Sequence, residues 1–200
     1  TRVYSLPQKY GNIAKAYIAQ DEQLEIKNNE EVTIPNPLAL NMYILGYDEN
    51  KNYQNLNQAV KENLKLYLSQ YRILTDAINI KNAFVINIGV KYEIVALSNI
   101  AARDVILNCN NLLIEYFNID KWSINQPINL SKLYTKLDRV KGVQTVKNIT
   151  VTNKTGGSYS LNAYDVQGAT KDNIVYPSYD PSIFEVKYPN DDIEGRVTTL

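Results

Sequence analysis

Asp48, Asn50 and Asn52 stand at alternate positions, as the first ligands of an EF-hand calcium loop do. Such a loop also needs glycine at its sixth position and a bidentate glutamate at its twelfth. Those places hold Tyr53 and Ala59, so the stretch reads as a hydrated Asp/Asn turn. "TGGSYS" (155–160) has the glycines of a phosphate loop but no lysine and no helical pattern after it, which makes it a flexible hairpin or linker. Paired carboxylates can do acid–base work, as in glycoside hydrolysis. The nearest groupings are Asp191, Asp192 and Glu194, and Glu30 with Glu31. Both lie in polar stretches without the apolar surroundings that raise a carboxyl pKa, so both are predicted to be solvated faces. Asn148 ("NIT") and Asn153 ("NKT") match the glycosylation pattern, which matters only for a secreted protein.

Much chemistry is excluded by composition. The chain has no histidine and a single cysteine, Cys109. A Ser-His-Asp or Cys-His arrangement, an intrachain disulfide and a Cys/His zinc site therefore cannot be written from it. Cys109 is expected to be a small buried apolar residue. Lys plus Arg equals Asp plus Glu, 21 against 21, and the charges are scattered, whereas a dedicated nucleic-acid binder carries a basic excess. No apolar run approaches a membrane span and no signal-peptide pattern is visible. No residue set here points to an enzyme, a cofactor, a metal or a small-molecule substrate, and none to a membrane, although the residues alone leave an enzyme open. Sixteen tyrosines stand against three phenylalanines and one tryptophan; a large apolar ring with a polar tip suits surfaces that alternate between wet and buried. The chain opens at Thr1 rather than methionine, so a portion of a longer protein is expected.

Periodicity supplies the elements that would carry these residues. A loop around Pro7 leads to a short strand from about Asn12 to Gln20. "KNNEEVTIPNPLA" (27–39) reads as a polar connector broken by Pro35 and Pro37. Leu40 to Asn50 predicts a strand buried on both faces, ending in a turn. Leu56, Val60, Leu64, Tyr67, Tyr71, Leu74 and Ile78 form one helical stripe, capped by Asn55 and stopping near Tyr71 or Leu74. "FVINIGVKYEIVALSN" (84–99) alternates strictly, with Phe84, Ile86, Ile88, Val90, Tyr92 and Ile94 on a core face beneath the two long helices. Asn87, Lys91 and Glu93 fall on the other face, toward water or a partner. A second helix carries Ala102, Ile106, Cys109, Leu113 and Tyr116 inward and is capped by Ser98 or Asn99. A third carries Leu130, Leu133, Tyr134, Leu137 and Val140, with Asn129 as cap and Gly142 in a left-handed C-terminal position. "VQTVKNITVTN" is a strand, Tyr159 to Val166 one more, and the stretch from Ile174 to Gly195 an extended arm rich in Pro and Tyr. The predicted class is α+β: a small mixed sheet with helices on one face, like a split βαβ sandwich, plus an N-terminal strand region and a C-terminal arm. The expected divisions are 1–39, 40–155 and 156–200.

The unit "LSKLYTKLDRVKGVQTVKNITV" resembles the closing unit of baseplate J-like proteins, where a short helix ends in Gly-Val and enters a strand. With "NLKLYLSQYRILTDAINIKNAFVINIGVKYEIV", "RVYSLPQKYGNIAKAYIAQDEQL" and "DIEGRV", the chain from Arg2 to Val197 is similar to the C-terminal portion of the baseplate wedge proteins of T-even-like contractile-tailed phages. The resemblance implies a structural role without catalytic residues: self-association as a dimer or ring, contacts with other wedge proteins around the tail hub, and a place in the virion tail after assembly in the host cytoplasm. It also implies that a large N-terminal portion precedes this sequence. Tyr176, Tyr179, Phe184 and Tyr188 are the candidate interface anchors, since a few buried aromatics usually dominate such contacts; folding back onto their own domain is the competing expectation. A different class, a single-stranded nucleic-acid module, would stack bases on exposed rings of the sheet. It is disfavoured by the neutral charge balance and by an open face with Lys91 beside Glu93 and no ring.

Overall fold

Residues 2–5, 12–27, 30–70 and 77–199 are described by a computed structural model, and they build an α+β fold. Two units emerge, Thr1–Ala83 and Phe84–Leu200. Residues 39 and 40, where a boundary was expected, both lie inside one strand, and 156–200 belongs to the same unit as 84–155. The loop around Pro7 lies outside the described residues.

The first unit is built on β1 (Lys15–Lys27) and β2 (Glu30–Tyr47), antiparallel from Lys27↔Glu30 to Lys15↔Leu45. Over residues 39–44 β2 is flanked also by the parallel strand β4 (Ala77–Asn82), while β3 (Tyr53–Gln54) pairs with its end. Asn41, Met42, Ile44 and Leu45 are accordingly buried, as a doubly covered strand requires. Of the stretch predicted to be a proline-broken connector, residues 30–39 are strand instead. Pro35, opposite Glu22, lies where β1 is the only described strand beside β2, because β4 begins at Ala39. Pro37 falls in a bulge, since the register passes from Gln20↔Leu40 to Asp21↔Asn36. A residue without an N–H is tolerated at both kinds of position.

Helix α1 (Gln58–Ser69) is shorter than the predicted stripe. Asn57, not Asn55, caps it, its side chain accepting from the Val60 N–H at 2.9 Å. Leu64 and Leu68 pack into a core with Val3, Ile13, Met42 and Ile44. Tyr71 and Leu74 lie outside the described residues. Ile78 belongs to β4, where the run "AINIKN" alternates as a strand must. After β2, the carboxylate of Asp48 accepts from the Asn50 and Asn52 N–H groups, both at 2.8 Å. Lys51 turns through φ 63° between them, so this is a self-closed Asx-type turn.

In the second unit β5 (Phe84–Ala96) is central. β7 (Val143–Asn153) runs antiparallel along one edge, from Ile88↔Asn153 to Ala96↔Val143. The other edge is filled by two parallel strands in succession, β10 (Ser182–Glu185) and β11 (Ile193–Val197). Glu185 pairs with Asn87; a continuous strand would then set Tyr188 opposite Val90, yet Ile193 stands there. The chain leaves the edge through the single helical turn α4 (Pro189–Asp192) and returns. The predicted arm is therefore core, with Ile183, Phe184, Val186 and Ile193 buried. Tyr159 to Val166 forms no strand.

Helix α2 (Ala102–Tyr116) packs on β11 and on α3 (Leu130–Asp138), and α3 packs on β7. These helices, not α1, share a unit with β5. The buried stripe of α2 is Val105, Cys109 and Leu113; Ala102 is exposed, and Ala101 precedes the helix without a side-chain cap. The Asn129 side chain does cap α3, accepting from the Lys132 N–H at 2.8 Å. Gly142 has φ 99°, and a Cβ there would stand 2.7 Å from Val105 Cγ2, so the helix-to-strand turn needs glycine for both backbone and space. β6 (Ile128–Asn129), β8 (Thr170–Lys171) and β9 (Ile174–Val175) form a small separate sheet in the order β6-β9-β8.

Candidate functional site

The polar face of β5 is divided between two environments. In its second half Lys91 lies opposite Glu194 and Glu93 opposite Arg196 on β11, and both pairs form salt bridges, Lys91–Glu194 at 2.9 Å. The hydrogen bond from Lys91 holds the Glu194 carboxyl below its ordinary value. Exposed cross-strand pairs of this kind fix register more than they stabilise. In the first half, Val85 and Asn87 on the same face are buried, covered by the segment that follows β7.

That covering is explained by backbone accounting. The β7 ladder ends at Asn153 opposite Ile88, leaving the Val85 and Asn87 carbonyls on that side without a strand partner, a costly state when buried. The Lys154 N–H and the Asn153 side-chain amide donate to the Asn87 carbonyl at 2.8 and 2.9 Å. The Ser160 hydroxyl and the Asn162 amide donate to the Val85 carbonyl at 2.8 and 2.9 Å. The Asn87 side chain, 1% exposed, works at both ends: its amide donates to Glu185 Oε2 at 2.7 Å and its oxygen accepts from the Ser160 N–H at 2.7 Å. Side chains thus close this edge where a strand was predicted.

Asp192 anchors the same segment. Its carboxylate is 1% exposed and accepts from the Tyr159 hydroxyl at 2.7 Å and the Tyr188 N–H at 2.9 Å, with the Lys154 ammonium 3.8 Å away. Accepting this bond pushes the Tyr159 phenol up to about 12. The predicted solvated face fails for Asp192, because the α4 excursion folds it under Tyr159, while Asp191 and Glu194 remain exposed. The three carboxylates do not converge, and Asp192 is spoken for by donors. The side chains of Glu30 and Glu31 lie outside those described. Cys109 is fully buried, and burial raises its thiol to about 11, as expected of a packed thiol. Among the described residues no set of His, Cys, Asp or Glu gathers as metal ligands would, and no helix is long and apolar enough to cross a membrane.

The four aromatic candidates have different fates. Phe184 is 2% exposed and its ring lies 5.9 Å from that of Tyr164, so it fills its own unit's core. Tyr188 is half-buried with its ring edge-on to Tyr159. Tyr176 is 45% exposed and Tyr179 fully so. Leu161 and Phe84, both exposed, were not foreseen: alternation assigned Phe84 to the core. Tyr92, by contrast, is 1% exposed. Its hydroxyl donates toward Asn110 Oδ1 at 2.7 Å, and burial raises its pKa. The two rings a base-stacking sheet would use are therefore not on one open face.

No family model and no curated protein matches the chain. Among solved structures it is similar to a chain of the six-fold symmetrised cryo-EM structure of the anti-feeding prophage baseplate, at 16% identity and a TM-score of 0.48. The match covers 74% of this chain and 29% of that one.

Proposed function

We propose that this chain is a structural component of a phage-tail baseplate wedge. It associates with itself and with other wedge proteins around the tail hub, and it carries no catalytic function. The observation that carries the reading is the unit from Leu130 to Val151, whose sequence resembles the closing unit of baseplate J-like proteins. It folds as a short helix, a left-handed Gly142 and a long strand. Supporting it, the buried carboxylates Asp192 and Glu185 are tied into packing, and Tyr176 and Tyr179 are exposed aromatics of the kind that anchors a partner.

Immunogold electron microscopy tests the location. Antibodies raised against the purified chain should label contractile-tail particles of the source at the end of the tail. Labelling of heads, or of no particle, overturns the reading. Light scattering tests the anchors: Tyr176→Ser combined with Tyr179→Ser should lower the assembled mass while leaving circular dichroism unchanged.

A further inference from the structure

We propose that two copies of this chain join edge to edge about a two-fold axis, the Leu161 side chain of each seating in an apolar cleft beside Val151 of the other. The proposal rests on the self-association part of the reading above and assigns its contact. The cleft, about 310 Å³, opens between β7, the start of α3 and β9. Leu130, Ile149, Val151, Val166 and Val175 wall it, each no more than 9% exposed, and no lining residue is ionisable. Backbone without a partner also meets the cleft. The Ile149 N–H donates to the Tyr134 hydroxyl at 2.9 Å, away from β5, whereas the Lys154 N–H donates inward to the Asn87 carbonyl. Backbone groups alternate in direction along an edge strand, so Val151 also turns its N–H and carbonyl away from β5. Among the described residues none bonds to them there. Buried aliphatic walls beside a free backbone donor and acceptor fit an uncharged aliphatic residue on extended backbone, as in strand addition.

The segment that follows β7 presents such a residue. Leu161 is 87% exposed, the most of any large aliphatic side chain described. Its neighbours hold it in place, since Ser160 and Asn162 both donate to the Val85 carbonyl, so little ordering is lost on contact. No charged residue lies between Lys154 and Asp165, and no described group bonds to the Leu161 N–H or carbonyl. Its own cleft is out of reach. Val151 stands opposite Val90, five residues along β5 from Val85, or roughly 17 Å. Knob and cleft both lie on the side of β5 that pairs with β7. Two such edges set antiparallel about a two-fold bring each Leu161 beside the other copy's Val151, which makes the contact self-complementary. Tyr176, whose carbonyl accepts from the Tyr164 hydroxyl at 2.6 Å, borders the same segment, so one of the exposed aromatics adjoins the contact.

Whole chains test the contact. By light scattering the parent should reach at least twice the 22.8 kDa of one chain. Leu161→Asp should raise its dissociation constant at least about tenfold. Cysteine pairing reads the geometry, because the native Cys109 is buried and Gln167 is an exposed residue at the cleft. An equimolar mixture of Leu161→Cys chains and Gln167→Cys chains should form a disulfide-linked dimer under mild oxidation, while either variant alone should not. Leu161→Asp chains that assemble like the parent, or a mixture that cross-links no better than the single variants, overturn the contact while self-association stands. A parent chain monomeric at every concentration overturns both. If Leu161→Asp does not fold, the cysteine mixture decides.

Discussion

At the residue scale, Asn87 does what a second strand would otherwise do. It serves the buried Glu185 carboxylate and the half-buried Ser160 N–H at once, and its own carbonyl is taken by two donors. Asn87→Ala should cost about 2–3 kcal/mol in urea unfolding, since truncation removes one hydrogen bond to a carboxylate and one to the Ser160 N–H. Protease cleavage within 154–165 should become faster. Tyr159 gives a pH test. Its phenol is neutral in the folded state, and its pKa is raised from 10 to about 12 by the bond to Asp192. A raised folded pKa means the contribution is complete below pH 10 and is lost as pH climbs through about 12. Stability should therefore fall across that window, and Tyr159→Phe should lower stability at neutral pH while flattening the alkaline slope in thermal melts.

At the scale of elements, the most exposed test is the α3 start. Asn129→Ala removes the cap and should cost about 1 kcal/mol in chemical denaturation. Gly195→Ala should cost more, about 1–3 kcal/mol by the same measurement, because the new methyl would press into the buried Tyr92 ring. Elements set by local signals were legible in the sequence: β5, β7 and α3, with the Asn129 cap and Gly142, fall where periodicity and capping put them. Elements set by distant partners were not. β4 is six residues long and β10 four, and each is a strand only because a parallel neighbour far away in sequence accepts it. The prolines of β2 misled for a related reason, since their tolerance depends on which neighbours are absent at those two positions. Asp192 looked solvated because nothing local signals that α4 will fold it under Tyr159.

At the scale of the whole molecule, the C-terminal stretch is part of the second unit's sheet, so removing residues 170–200 should abolish that unit's near-ultraviolet circular dichroism and expose β5. Substitution at Tyr176 and Tyr179, not truncation, is thus the clean way to test that surface. The order in which the ribosome delivers the strands has a consequence of its own. β7 follows β5 within about sixty residues, but β11 emerges about a hundred residues after β5 ends. At roughly 5–20 residues per second of synthesis, one edge of a strand with one apolar face waits about 5–20 s for its partner. An open, apolar edge is a template for pairing with other chains. A holdase that masks residues 84–96 during that interval should therefore raise the yield of native second unit in cell-free translation.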